Sequence, residues 1–174
     1  GGPIIDLGVH AIDLLRYLMG NPKPVSVYAV TNSEIGKREY LKNGVEYMPK
    51  GASEKDVSTV EDFASVMIRY DNGAATHLET SYSFNGKDAY FQELYGTKGG
   101  LRISDKVTLY TEYNGFLVDT DICSDNYKAI KGNGFEEEIA HFVDCIKNGT
   151  ECIAPAEDGY EIMRILDAIC RNRT

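Results

Sequence analysis

The chain has 174 residues, 43% of them hydrophobic, which is sufficient for one folded domain with a substantial core. It carries 18 Lys and Arg residues against 27 Asp and Glu residues, giving a formal net charge of −9 and a pI near 4.8. Because this acidic field repels phosphate backbones and anionic lipids, and no apolar run reaches the roughly 20 residues of a membrane-spanning helix, we expect neither nucleic acid nor a membrane as a partner.

The first predicted element is an amphipathic helix from Ile4 to Met19. At the helical period, its apolar face contains Leu7, Ala11, Leu14, Leu15 and Leu18, and its polar face contains Asp6, His10, Asp13 and Tyr17. Gly20 and the prolines that follow predict the end of the helix, because Gly adopts the left-handed conformation there and Pro cannot continue a helix.

A series of strands is predicted next. A β-branched run predicts a strand from Val25 to Val30, and the polar stretch from Asn32 to Asp56 predicts a long excursion. Residues Asp71-Asn72-Gly73 predict a hairpin with a type I′ turn, since Asn-Gly tolerates positive φ angles. The remaining strands are predicted at 60–70, 74–84, 89–95, 101–104, 107–113 and 116–122. Their short connections indicate an antiparallel meander.

Two helices are predicted to close the chain. The first carries apolar residues at helical spacing, namely Phe135, Ile139, Phe142, Val143 and Ile146, with Asn133 and Glu136 as a capping box. The second runs from about Ala156 to Arg171, with Ile162, Ile165, Leu166 and Ile169 facing inward. This order predicts an α+β fold in which a large, open antiparallel sheet has helices on one face. Solvent, a partner subunit or a missing domain would cover the other face.

The cysteines indicate a cytoplasmic protein. Cys123, Cys145, Cys152 and Cys170 lie far apart and form no C-x-x-C pair, so a disulfide scaffold is not expected. The N-x-T triplets at Asn148 and Asn172 are interpreted as chance occurrences rather than glycosylation sites. The sequence starts at Gly1 without Met or a leader, and we therefore expect residues 1–174 to be one domain of a longer protein.

Asp6 and His10 are the main candidates for chemistry. They lie one helical turn apart, and a carboxylate beside an imidazole can orient the ring and favour its protonated form, as a proton-shuttling base requires. The alternative is a solvated surface pair. A metal site that adds Asp13 or the cysteines is the weaker interpretation, because Asp-x3-His supplies only two ligands, and no metal is predicted.

The other histidines and the glycine-rich segment do not indicate a functional site. His77 and His141 are expected to be structural or exposed. Gly132-x-Gly134 has the start of a phosphate-binding loop, but Glu137 stands where the third glycine is required, and no complete G-x-G-x-x-G follows a strand. We therefore predict no nucleotide-binding residues in this chain.

A family resemblance extends this interpretation. Residues Gly1 to Asp13 resemble the G-G-x-x-x-D-x-G-x-H-x-x-D segment that opens the C-terminal domain of Gfo/Idh/MocA oxidoreductases, a family that includes inositol and sugar dehydrogenases. Further stretches agree in type and order, at 60–64, 69–74, 95–101, 142–149, 157–160 and 165–169. Together they span nearly the whole chain.

The resemblance implies a two-domain enzyme of which this chain is the C-terminal substrate and oligomerisation domain. His10 matches the histidine that exchanges a proton with the substrate hydroxyl, Asp6 matches the aspartate that positions it, and Asp13 matches a position of structural role. NAD or NADP would be bound by an N-terminal Rossmann domain, which also carries the family's catalytic lysine. The chain alone is therefore expected to be inactive.

The expected substrate is a small sugar or polyol. Tyr82 and Ser83, which end the second hairpin strand, are candidates for the pocket wall, together with polar residues of the 32–56 excursion. A homo-oligomer is expected through the open sheet face, because Val66, Ile68, Leu78 and Leu94 must be distributed between two faces. The alternative function is a non-catalytic interaction or sugar-binding module that keeps the same fold.

Overall fold

The computed structural model describes residues 1–38, 59–122 and 134–172, so most of the 32–56 excursion lies outside the described residues. The chain forms two compact units. The first combines Gly1–Lys87 with Glu157–Thr174, and the second is Asp88–Ala156. The elements are antiparallel strands and a few helices, which confirms the α+β class. Among the described residues, no helix has both the length and the apolar character needed to cross a membrane.

The first unit contains a three-stranded antiparallel sheet. Its strands are β1 (Pro24–Asn32), β2 (Phe63–Tyr70) and β3 (Ala75–Ser81), in the order β1-β2-β3. They correspond to the first three predicted strands, with ends that differ by a few residues.

One face of this sheet packs against the last helix, α3 (Ala156–Asn172), and forms the core of the first unit. The buried residues are Ile4, Ile12, Ala29, Ala64, Val66, Ile68, Tyr70, Leu78, Ile162, Ile165, Leu166 and Ile169. The inward face predicted for α3 is therefore confirmed. The predicted distribution of Val66, Ile68 and Leu78 over two faces is wrong, because Val66 and Ile68 are two residues apart and Val66 pairs with Leu78.

The first helix differs from the predicted one at its start. Residues Ile4–Gly8 form a π-helical turn, and α1 follows at Val9–Leu18. The buried positions of this segment are Ile4, Gly8, Ile12, Leu15 and Arg16. Leu7 and Leu18, which were predicted on the apolar face, are 45% and 38% exposed. The wider π turn changes the angular positions of the first residues, so the α-helical period does not hold there.

The hairpin between β2 and β3 is confirmed, but its predicted type I′ turn is wrong. Only Gly73 has a positive φ, of 86°, and the Tyr70 amide donates to the Ala74 carbonyl at 2.9 Å, so the loop contains three residues. The Asn72 side chain accepts a bond from the Ala74 amide at 3.0 Å. A type I′ turn occurs instead at Asn114-Gly115, where both φ angles are positive.

The second unit contains the other described strands, together with a described helix. Its sheet has the order β4-β5-β6-β7, so the described strands are distributed over two antiparallel sheets rather than one. The strands are β4 (Gln92–Tyr95), β5 (Gly100–Ile103), β6 (Val107–Tyr113) and β7 (Phe116–Asp121), and the helix is α2 (Gly134–Asn148). The predicted cap residue Asn133 lies outside the described residues.

The second unit buries few side chains. Among its described residues, only Gln92 and Thr108 are buried. The helical apolar pattern of α2 is present, but Phe135, Ile139 and Phe142 are all exposed. Leu94 is half-buried.

Candidate active site

The π turn at the start of the chain is held against β3. The Thr80 hydroxyl donates to the Pro3 carbonyl at 3.3 Å, and both groups are buried. A Cβ atom at Gly8 would lie 3.3 Å from a methyl carbon of Leu78, so the absence of a side chain lets the turn approach the strand closely. With Ile4 and Gly8 facing inward, Asp6 is on the exposed side of the turn.

Asp6 forms a hydrogen bond with Tyr82, one of the two predicted substrate-binding residues. The Tyr82 hydroxyl donates to Asp6 Oδ2 at 2.7 Å. Tyr82 follows β3 directly, and its backbone amide donates to the Asp62 carbonyl at 2.9 Å, which fixes the residue at the end of the strand. The structure therefore brings together two residues that are 76 positions apart in sequence.

Tyr82 has an unusual acid–base property. Burial raises the pKa of the phenol to about 12, and the hydrogen bond to Asp6 and the charges of Asp6 and Glu61 add to the increase. At neutral pH the phenol is therefore protonated and serves as a hydrogen-bond donor. One of the two Asp6 carboxylate oxygens accepts the hydrogen bond from this phenol.

His10 is exposed and lies in α1, one turn after Asp6. Among the described residues, its ring takes part in no hydrogen bond or ion pair, and none links it to Asp6. The predicted orientation of the ring by Asp6 stays a prediction. Asp13 is also exposed, on the same polar stripe. The His10 imidazole is therefore accessible to a ligand on the surface that carries the Asp6–Tyr82 pair.

Sequence reasoning missed the roles of Glu61 and Asp62. Both are buried, at 8% and 3% exposure, although they are charged. Asp62 Oδ2 accepts bonds from the Ile35 and Gly36 amides at 2.8 and 2.6 Å, so this carboxylate holds the chain after β1 in place. The signal was two adjacent acidic residues before a strand with buried apolar positions, because such carboxylates need partners when they are buried.

Ser83 lies in an open groove of about 450 Å³ in the first unit. The groove is lined by Val30, Thr31, Asn32, Glu34, Ile35, Arg38, Asp62, Phe63, Ser83 and Phe84. The Ser83 amide donates to the Ser81 hydroxyl oxygen at 3.0 Å, which turns the chain after β3. Tyr82 does not line the groove. The two residues predicted to form one pocket wall therefore have different surroundings.

The other two histidines have local partners. His77 is exposed on β3, and its Nε2 lies 3.2 Å from the Ser65 hydroxyl. His141 in α2 is half-buried, and its Nε2 accepts a bond from the Ile153 amide at 3.1 Å. These surroundings agree with the exposed or structural roles predicted for them.

Comparison with known proteins identifies relatives of the whole chain. The sequence pattern of the Gfo/Idh/MocA family, described as "Oxidoreductase family, C-terminal alpha/beta domain", matches residues 1–173. The chain is 29% identical over 174 residues to D-glucoside 3-dehydrogenase from Escherichia coli (strain K12), and the alignment covers 97% of this chain and 46% of that enzyme. The chain therefore spans about half the length of this curated relative.

Solved structures share the fold. An oxidoreductase domain protein from Kribbella flavida has a TM-score of 0.77 at 21% identity, covering 99% of this chain and 49% of its own. Levoglucosan dehydrogenase in complex with NADH and levoglucosan has a TM-score of 0.70 at 23% identity, covering 96% of this chain and 46% of its own. At these identities, the likeness shows a common fold.

Proposed function

Because the chain belongs to the Gfo/Idh/MocA oxidoreductase family and matches its C-terminal α/β domain, we propose that it is the substrate domain of a longer NAD(P)-dependent dehydrogenase acting on a sugar or polyol hydroxyl. The observation that carries the proposal is the exposed His10 ring on the surface formed by the Asp6–Tyr82 pair. The name of the D-glucoside 3-dehydrogenase relative supports a sugar as the substrate class.

In the proposed reaction, His10 is the general base for alcohol oxidation. The ring takes the hydroxyl proton while the carbinol carbon loses its hydrogen with the bonding pair as hydride, and a carbonyl group forms. The negative charge of Asp6 stabilises the imidazolium that results. Tyr82, a neutral donor at this pH, holds the Asp6 carboxylate in position. In the reductive direction, the same ring returns the proton.

The described residues of this chain do not fit a dinucleotide site. The described strands pair antiparallel, and the sequence has no glycine-rich turn between a strand and a helix. We assign the nicotinamide, which supplies or accepts the hydride, to another part of the full-length protein. The isolated chain should therefore neither bind NAD(P) nor turn over substrate, and saturable NADH binding to residues 1–174 would contradict this division.

We also propose that the protein is a homo-oligomer. The outer face of the first sheet exposes Tyr28, Val30 and Met67, and Tyr28 pairs directly with Met67. An exposed patch of this kind favours association. Light scattering at tens of micromolar should give a mass above that of one chain, and a strictly monomeric mass would contradict the proposal.

The decisive experiment is His10→Ala in the full-length protein, assayed with NAD and NADP against a panel of glycosides, sugars and polyols. Loss of a positioned general base should lower kcat by roughly 10²–10⁴-fold and leave cofactor affinity nearly unchanged. His77→Ala, which removes an exposed histidine on β3, is the matched control and should keep full activity. Normal turnover by the His10 variant would favour the non-catalytic module instead.

A further inference from the structure

A second group of chemistry-bearing residues lies in the second unit, and the proposed dehydrogenase function does not use it. His141 and Cys145 are four residues apart in α2, so they share one face of the helix. Cys152 follows the helix, after a turn at Gly149 with a φ of +68°. This turn returns the chain toward the face that carries His141 and Cys145.

The three potential ligand atoms are close together. His141 Nε2, Cys145 Sγ and Cys152 Sγ all lie within 4.8 Å of one another, and Nε2 is 3.5 Å from Cys145 Sγ. Zinc binds nitrogen at about 2.0–2.1 Å and thiolate sulfur at about 2.3 Å in tetrahedral geometry, which places neighbouring ligand atoms roughly 3.5–3.8 Å apart. A small movement of Cys152 would bring all three ligand atoms to the separations found around a zinc ion.

The loop that carries Cys152 is fixed by its own hydrogen bonds. The Asp144 carboxylate accepts a bond from Asn148 Nδ2 at 2.6 Å and another from the Thr150 hydroxyl. The Gly149 amide donates to the Cys145 carbonyl at 3.1 Å. The polar residues of the first N-x-T triplet are thus used to hold the loop, and Cys152 is presented by an ordered segment.

The His141 ring is oriented for ligation through Nε2. Because this atom accepts a bond from the Ile153 amide, the neutral ring carries its proton on Nδ1 and has its lone pair on Nε2, which lies 3.5 Å from Cys145 Sγ. A metal ion would take the place of this amide at Nε2.

We propose that His141, Cys145 and Cys152 bind one zinc ion, which joins the end of α2 to the loop that follows it. Two thiolates and one imidazole are a soft donor set that suits zinc. On binding, each thiol loses its proton to solvent, the Ile153 N–H···Nε2 bond breaks, and two metal–sulfur bonds and one metal–nitrogen bond replace waters of the hydrated ion. One water stays as the fourth ligand, and no oxidation takes place.

The test uses the full chain, purified under reducing conditions and freed of metal. Zinc titration against a chromophoric chelator should show one equivalent bound per chain. Cobalt as the probe should give thiolate-to-cobalt charge-transfer absorption and the visible bands of a tetrahedral ion. Cys152→Ser, a change at an exposed residue with little risk to folding, should weaken zinc binding by more than the roughly 10–100-fold that loss of an outer-sphere partner costs.

Cys170→Ser is the matched control, because Cys170 lies in α3 and outside this cluster. It should leave both the stoichiometry and the cobalt spectrum unchanged. The proposal is overturned if cobalt gives no charge-transfer band, if Cys152→Ser binds zinc as tightly as the parent chain, or if a Cys145–Cys152 disulfide is the main state under reducing conditions.

Discussion

The two units of the chain differ in what their apolar side chains contact. In the first unit, α3 buries Ile162, Ile165 and Leu166 against the sheet. In the second unit, α2 has an equally regular apolar pattern, but Ile139 and Ile146 are 62% and 70% exposed. Periodicity therefore predicts that a helix forms and which residues share its face, whereas it does not predict whether that face is covered.

The largest expected effect is on the free energy of unfolding. A large-to-small substitution in each of the two helices tests the contrast between buried and exposed apolar faces. Ile165→Ala removes a fully buried side chain and should lower the free energy of unfolding by about 2–5 kcal/mol. Ile139→Ala, the matched change in α2, should alter it by less than about 0.5 kcal/mol. Urea unfolding of the two variants measures both. Equal losses would show that the second unit has a core of its own.

Substitutions of a buried and an exposed aspartate should differ in the same way in their effect on stability, by a smaller amount. Asp62→Asn weakens two bonds to backbone amides at a buried position and should cost about 1–3 kcal/mol. Asp121→Asn in the second unit removes an exposed partner of Lys106 and should have a smaller effect. Chemical denaturation at neutral pH gives both values. If the Asp62 variant is as stable as the parent chain, its amide contacts do not hold the segment after β1.

Tyr82 should make the first unit sensitive to alkali. Its folded pKa of about 12 lies above the ordinary value of 10.0 for a tyrosine, so its contribution to stability is complete below pH 10 and is lost as the pH rises toward 12. Tyr82→Phe should remove this part of the pH dependence. The measurement is the urea midpoint at several pH values between 9 and 12. An unchanged slope in the variant would show that Tyr82 ionises normally.

The smallest expected effect concerns acid and the second unit. The hydrogen bond from Lys106 holds the pKa of Asp121 below the ordinary value of 3.8 for an aspartate, so the stabilisation is present above that pH and is lost as the pH falls through the folded pKa. Asp121→Asn should flatten the stability profile below about pH 4. The difference should become smaller in about 1 M salt, where the Debye length is about 3 Å and the Lys106 charge is screened, whereas the bond from the Thr108 hydroxyl is not screened. A difference that salt leaves unchanged would show that the Lys106 charge does not contribute to it.

The sequence contained enough to predict most elements. The strand at Val107–Tyr113 and the inward face of α3 are confirmed, because alternation and helical spacing are local properties of the chain. The polar face predicted for the first helix is confirmed, whereas Leu7 of its predicted apolar face is exposed, because the π turn at Ile4–Gly8 depends on close packing of Gly8 against β3. Local periodicity contains no information about that contact.

The candidate site was predicted only in part for the same reason. Asp6 and His10 lie within one short motif and were found from it. The bond from Tyr82 to Asp6 and the burial of Asp62 depend on which strand end meets which turn, and that is set by tertiary packing. Cys152 joins His141 only through the turn at Gly149, so the spacing of the cysteines did not predict the cluster.

The first unit is formed by two stretches of the chain, Gly1–Lys87 and Glu157–Thr174, so its parts are synthesised at different times. Its three described strands have been synthesised by residue 81, but α3, which packs against that sheet, follows only after the second unit. Residues 88–156 are translated in between, which takes several seconds at roughly 5–20 residues per second. During that interval the nascent sheet presents Val66, Ile68 and Leu78 without their helical partner. The growing chain should therefore be a substrate for chaperones that recognise apolar strands until the residues of α3 have been synthesised.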